Sequence, residues 1–150
     1  TAYAISLGLV GSEMCIRDRS YYADKFGLGV LAIRIGNIDD YPVDERRLSI
    51  WISPRDLVQL VRIGLEHPDL HYEIVWGASD NARSWWDNEP ARRLGYRPRD
   101  RAEDQRDLAL AAEAERIPNP IADYYQGGDI CVEDFTGGLP GSAVKDSVDT

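Results

Sequence analysis

One short run constrains this chain more than any other: Val30-Leu-Ala-Ile-Arg-Ile-Gly-Asn-Ile38. It opens as a continuous series of β-formers, without the polar alternation of a half-solvated strand. That pattern belongs to a strand buried on both faces, as in a parallel sheet covered by helices. The run then breaks at Gly36-Asn37. A backbone without Cβ admits close approach there, and an amide side chain offers both a donor and an acceptor. Ligands of open α/β sheets sit just beyond the carboxyl ends of strands. Gly36, Asn37 and the pair Arg46-Arg47, which follows an acidic turn, are therefore the first candidates for function.

With 150 residues, 43% of them hydrophobic, the chain has material for one packed domain. A net charge of −9 opposes binding to nucleic acid or an anionic membrane, both of which need basic faces. No apolar run approaches the roughly 20 residues of a membrane span. Cys15 and Cys131 make no disulfide framework, which points to a reducing, cytoplasmic setting.

Residues 1–19 read differently from the rest. Tyr3-Ala-Ile-Ser-Leu-Gly-Leu-Val-Gly11 has the look of a strand entering a Gly-x-x-Gly turn. A dinucleotide loop, however, needs a third glycine where Met14 stands, and an acidic residue about twenty positions on. A signal peptide needs a basic leading segment that is missing. Leu9 to Arg19 instead follows, in one reading frame, the DNA of a transposase-insertion sequencing adapter. The stretch resembles translated adapter, and the expectation is native sequence from about Ser20, with an N-terminal portion lost.

From Ser20 to Gly27 the chain reads as the last turns of a helix, stopped by glycine. Tyr21 and Lys25 form a literal Tyr-x-x-x-Lys, the proton-transfer pair of short-chain dehydrogenases. The helix stops too soon after Lys25 to seat such a pair beside a cofactor, so Tyr21 and Lys25 read as a decoy. In Asp39-Asp-Tyr-Pro-Val-Asp-Glu-Arg-Arg47 the carboxylates match no metal-ligand scheme and read as a solvated loop. The guanidinium forks of Arg46 and Arg47 suit a carboxylate or phosphate ligand. A salt bridge to Asp39, Asp40 or Asp44 explains them equally well.

Leu48 to Ile52 suggests a short strand, and Ser53-Pro-Arg-Asp56 a helix start with serine as cap. Leu57, Leu60, Val61, Gly64 and Leu65 form that helix's buried stripe, ending at His67-Pro68. His67 and His71, split by proline and lacking a third ligand, read as loop histidines, and no metal site is expected. His71 to Trp76 reads as the next strand. A helix from Ser84, with Asp87 in a capping box, is expected to run to Leu94-Gly95. Trp85 and Trp86 at its head read first as core, with one of them a candidate roof over a pocket. Tyr96 to Asp104 is a charged connector, Gln105 to Arg116 an Ala-rich helix, and the Pro- and Gly-punctuated remainder an extended arm.

Six pieces stand in an order that resembles a known family: Tyr21-Tyr22-x-x-Lys25-Phe26-Gly27, Ile33-Arg34-Ile35-Gly36, Arg46-Arg47, Trp51-x-Ser53-x-x-Asp56, Gly77-Ala78-Ser79-x-Asn81 with Trp85-Trp86-Asp87-Asn88, and Leu94-Gly95-Tyr96-x-Pro98. From Ser20 to about Asp104 they are similar to the C-terminal half of extended short-chain dehydrogenases, the NAD-dependent epimerase/dehydratase superfamily, and most of all to uronate dehydrogenases. The resemblance implies an α/β fold: the C-terminal part of a Rossmann-type, doubly wound parallel sheet with small substrate-binding elements. On this reading residues 1–19 are artefact, 20–104 the half-domain, and 105–150 a C-terminal helix and tail.

The same resemblance implies oxidation of a hexuronate at C1 to an aldarolactone, with NAD as hydride acceptor, by an intact protein of which this chain alone is inactive. Arg47 takes the position that grips the substrate carboxylate. Gly36 and Asn37 border the cofactor, and Asn37 also faces substrate, where the family often has serine. The sugar acid is the implied partner, with a homo-oligomer possible. A nucleotide-sugar epimerase or dehydratase of the same fold, and a stand-alone binding module, remain alternatives. Loss of the first strands would leave Val30–Ile38 with an open edge and uncovered apolar faces, inviting aggregation or pairing with another copy.

Overall fold

The computed structural model describes residues 3–7 and 13–139. Gly8–Gly11, which has the look of a Gly-x-x-Gly turn and reads as adapter-derived, lies outside them. Three parallel strands, β1 (Tyr3–Leu7), β2 (Gly29–Ile35) and β5 (Tyr72–Gly77), pair in the order β1-β2-β5. The apolar run is thus the central strand, with Val30 opposite Ala4 on one side and Tyr72 on the other. Its expected open edge is not found, because β1 occupies it. Nor are its faces bare: Val30, Leu31, Ala32 and Ile33 are all buried.

Helix α1 (Glu13–Phe26) precedes β2 and packs on β2 and β5. Gly27 ends it at φ +64°, donating its N–H to the Ala23 carbonyl at 2.9 Å, which is the left-handed stop the sequence indicates. Helix α2 (Pro54–Glu66) starts as read, with the Ser53 hydroxyl accepting from the Asp56 N–H. Its Leu60 is fully buried with Leu31, Ile33, Ile52, Val75 and Tyr96 in the main core. Burial of each such side chain is worth about 1.5–3 kcal/mol. Leu65, expected in the buried stripe, is instead about half exposed.

The run breaks at Gly36, as the sequence indicates. Beyond it, β3 (Asn37–Ile38) leaves the main sheet and pairs in parallel with β4 (Trp51–Ile52). The strand expected from Leu48 is mostly a 3-10 turn, Arg47–Ser49, because Leu48 turns inward to a second cluster with Trp51, Ala102 and Ala109. The helix expected from Ser84 begins later, as α3 (Glu89–Arg93). The Ser84 hydroxyl accepts from the Trp86 N–H in a local turn, and Asn88 takes the cap position. Helix α4 (Arg106–Ala114) follows a 3-10 turn at Ala102–Gln105. Among the described residues, no helix is long and apolar enough to cross a membrane.

The chain divides into two compact units, Thr1–Glu115 and Arg116–Thr150. In the second, part of the expected extended arm is helical: α5 (Pro120–Tyr124), capped by the Asn119 side-chain oxygen Oδ1, which accepts from the Ile121 and Ala122 N–H groups. Arg116 forms an ion pair with Asp123 across this helix. A 3-10 turn at Gly128–Cys131 follows.

Candidate functional site

The mouth beyond β2 is built by Gly36, Asn37, Ile50 and Trp86. A Cβ added at Gly36 would stand 2.4 Å from Cη2 of Trp86 and 2.8 Å from Cβ of Ile50. The close approach that this glycine permits is therefore made by the indole and Ile50, not by open space awaiting a cofactor. Trp86 in turn stacks on Trp76, with centroids 4.3 Å apart and planes 7° from parallel. The Arg34 guanidinium lies over the Trp76 ring at 5.4 Å. Trp76 and Arg34 are directly paired across β2 and β5, so the sheet register sets this stack.

Two polar atoms at the mouth have no hydrogen-bond partner among the described residues. They are Oδ1 of Asn37 and Nε1 of Trp86, and both are buried. The Asn37 backbone is anchored, its N–H donating to the Ile50 carbonyl at 3.2 Å. An unpaired buried acceptor or donor costs about 1–3 kcal/mol, so such atoms are rare unless something else meets them.

Arg47 heads the 3-10 turn that returns the chain to this mouth. It is paired with Asp44, through its guanidinium and also through its backbone N–H at 2.6 Å. Asp44 is 1% exposed, so the acidic loop is only partly solvated; Arg47 keeps 20% exposure. Of the two alternatives open from spacing, the salt bridge forms, and it employs one terminal nitrogen. A guanidinium carries five N–H donors, so Arg47 retains capacity for a second anion.

Tyr21 and Lys25 do meet, the ammonium donating to the phenol oxygen at 2.7 Å. They do so on an exposed face at the end of α1, with Tyr21 54% exposed. His71 contacts Asp24 at 2.8 Å on the surface, and His67 accepts from the Asp69 N–H in a turn.

Behind the mouth lies a saturated polar hub. The buried Asp56 carboxylate accepts from the Ser79 hydroxyl at 2.7 Å and from the N–H groups of Arg99 and Asp100 at 2.9 and 3.1 Å. Asp100 accepts from the Ser53 hydroxyl at 2.6 Å and pairs with Arg55. The Ser53 hydrogen bond holds the Asp100 carboxyl below its ordinary range, with Arg55 adding to the effect. The Tyr96 hydroxyl donates to the Ala78 carbonyl at 2.8 Å. Burial, seconded by the Asp56 charge, raises its pKa far above the usual phenol range.

Two hollows flank β5's carboxyl end. One, of about 450 Å³, is lined by Asp80, Glu89, Arg92, Arg93, Tyr96 and Arg97 among others, and includes none of Gly36, Asn37 or Arg47. The other, of about 30 Å³, has room for one water and is partly lined by Trp86, Asn81 and Asn88. The sequence offers one of the two adjacent tryptophans as a roof over a pocket without saying which, and the structure sets Trp86 at the mouth. The usable signal was Gly36 itself: a glycine ending a buried strand implies a bulky neighbour, and the adjacent tryptophans were the largest candidates. Trp85, by contrast, is 41% exposed, so core for both does not hold.

No protein-family profile matches the chain. It is 44% identical over 117 residues, 75% of its length, to a uronate dehydrogenase from Pseudomonas putida, of which it covers 42%. It is 40% identical over 84 residues to an NAD-dependent glucose-6-phosphate dehydrogenase from Haloferax volcanii, covering 53% of this chain and 32% of that protein. Among solved structures, uronate dehydrogenase from Agrobacterium tumefaciens, in a mutant complexed with NAD, aligns at a TM-score of 0.68 and 36% identity over 76% of this chain and 43% of that one. The chain thus spans under half the length of each of these proteins. Over the residues it shares with them, the chain is similar in sequence to uronate dehydrogenases, and its parallel-stranded α/β architecture matches that of their Rossmann-type structures.

Proposed function

We propose that this chain is the substrate-side part of an NAD-dependent dehydrogenase that oxidises a hexuronate at C1 to an aldarolactone. The observation that carries the reading is an unpaired buried amide oxygen, Asn37 Oδ1, at a strand end tied through the Ile50 backbone to the turn headed by Arg47, an arginine with donors to spare. A hexuronate offers the matching chemistry: hydroxyls that donate to the amide and a carboxylate that takes the fork.

The described residues fit the nicotinamide end of a dinucleotide only. Asn37 Oδ1 could accept from a carboxamide N–H, whereas the approach at Gly36 is already taken by Trp86, and among the described residues no glycine-rich strand-to-helix turn cradles a pyrophosphate. Bound NAD would supply the acceptor for the hydride leaving C1. The work of this chain is to hold the sugar: Arg47 anchors the carboxylate at one end, while Asn37 fixes a hydroxyl near the reacting end. The adapter-like residues 1–19 take no part in the reading, and neither do Tyr21 and Lys25.

The likeness to a glucose-6-phosphate dehydrogenase supports a second reading, in which Arg47 grips a sugar phosphate. A chimera in which residues 20–150 replace the matching part of the P. putida relative separates the two. NADH formation with D-glucuronate or D-galacturonate is the expected result. Turnover of glucose 6-phosphate alone would install the second reading, and turnover of UDP-sugars alone would favour the epimerase class.

A further inference from the structure

We infer that Trp86 is a substrate-contacting, specificity-determining residue, its indole N–H donating a hydrogen bond to a hydroxyl of the bound sugar acid while Asn37 Oδ1 accepts one. The inference deepens the proposed function and rests on it. Its ground is that two of the buried side-chain atoms left without partners among the described residues, Asn37 Oδ1 and Trp86 Nε1, belong to the residue that follows Gly36 and to the ring that packs on it, at the carboxyl end of the central strand. A sugar hydroxyl is both acceptor and donor, so a polyol satisfies the two atoms together, whereas an apolar ligand satisfies neither.

The ring is also held where such a contact needs it. One edge of Trp86 abuts Gly36, and its face lies against Trp76, whose position is set by pairing with Arg34. Indole reorientation would break the stack and the Gly36 contact at once. The N–H is therefore fixed before ligand arrives, and little conformational freedom is lost on binding. Glycine at position 36 has a direct reading on this account: any side chain there would displace the ring. The competing partner for the N–H is a water in the 30 Å³ cavity that Trp86 helps to line.

The test uses the chain as it stands, labelled with ¹⁵N, and follows the indole N–H resonances while D-glucuronate, D-galacturonate or neutral D-galactose is added. Trp86→Phe identifies its own signal by loss and keeps a ring on Trp76. The expected result is a saturable shift of the Trp86 indole with a hexuronate, together with shifts at Asn37 and Arg47, and at least tenfold weaker binding in Trp86→Phe. Shifts at Asn37 and Arg47 with the Trp86 indole silent, and unchanged affinity in the variant, would overturn the inference in favour of the water and leave the proposed function standing. A shift at Trp86 with Arg47 silent supports the contact while removing the carboxylate grip. No saturable shift at any of these residues with either hexuronate overturns both. Should Trp86→Phe fail to fold, the Trp86 indole signal, assigned by triple-resonance spectroscopy of the ¹³C,¹⁵N-labelled unaltered chain, decides alone.

Discussion

Two polar clusters stand at the strand ends of this fold, and they differ in one respect. Around Asp56 every oxygen and N–H finds a partner: Ser79, Arg99 and Asp100 converge on one carboxylate, and Asp100 then holds Ser53 and Arg55. Around Gly36 the packing is as close, yet Asn37 Oδ1 and Trp86 Nε1 are left over. The asparagines make the same contrast within one residue type. Asn81 donates to the Trp51 carbonyl and accepts from the Ala102 N–H. Asn88 donates to the Trp76 carbonyl and accepts from its N–H, closing the free edge of β5. Asn37 alone of these keeps an idle carbonyl oxygen. Saturated groups hold the fold; idle ones at a strand end are where a ligand adds its own atoms.

The comparison can be broken most severely at Asp56. Asp56→Ala strands the Ser79 hydroxyl and the N–H groups of Arg99 and Asp100 in a buried place, and about 3 kcal/mol or more of stability should be lost. Urea unfolding reads this, and a near-neutral result would mean the hub is not structural. Gly36→Ala should cost about 1–3 kcal/mol through overpacking against Trp86. Combined with Trp86→Phe, whose smaller ring vacates the clash, the loss should be less than additive in a double-mutant cycle.

Smaller effects sharpen the asparagine contrast. Asn88→Ala should cost about 1–2 kcal/mol by orphaning both Trp76 backbone groups, whereas Asn37→Ala should stay within about 0.5 kcal/mol while weakening hexuronate binding. Equal destabilisation by the two would erase the distinction.

The smallest expected effect is on pH dependence. Asp100 is depressed in the fold, so the unfolded chain binds a proton first as pH falls. Its stabilising share is present above the ordinary aspartate value of about 3.9 and is lost below it, as pH falls through the folded value. Ser53→Ala should flatten that acid limb. Tyr96 has the opposite sign: its raised folded pKa means stability is intact below about 10 and declines at higher pH. Thermal melts across pH in wild type and Ser53→Ala check both limbs.

Much of the fold was legible because its signals are local. A run of β-formers, the Ser53-Pro54 cap and the glycine stop at Gly27 each act through their own backbone and near neighbours, and α2 and the end of α1 stand where those residues indicate. The head of α3 was misread because a serine and an aspartate at capping spacing lose to packing: Trp86 is drawn onto Trp76 and Gly36, which unwinds that first turn. The fate of Asp44 was hidden for a like reason, since burial of an acid in a charged loop depends on neighbours that the loop's own sequence does not reveal.

The amino-acid order by itself determined that β2 would be buried and would end at Gly36, and that the chain resembles uronate dehydrogenases, since pattern and motif order are properties of the chain alone. Tertiary structure decided which polar atoms remain unpaired. Whether an amide or an indole N–H finds a partner depends on groups distant in sequence: Asn88 is served by Trp76, while Asn37 beside Gly36 is served by none of the described residues. That assignment exists only when the strands are registered and the rings stacked.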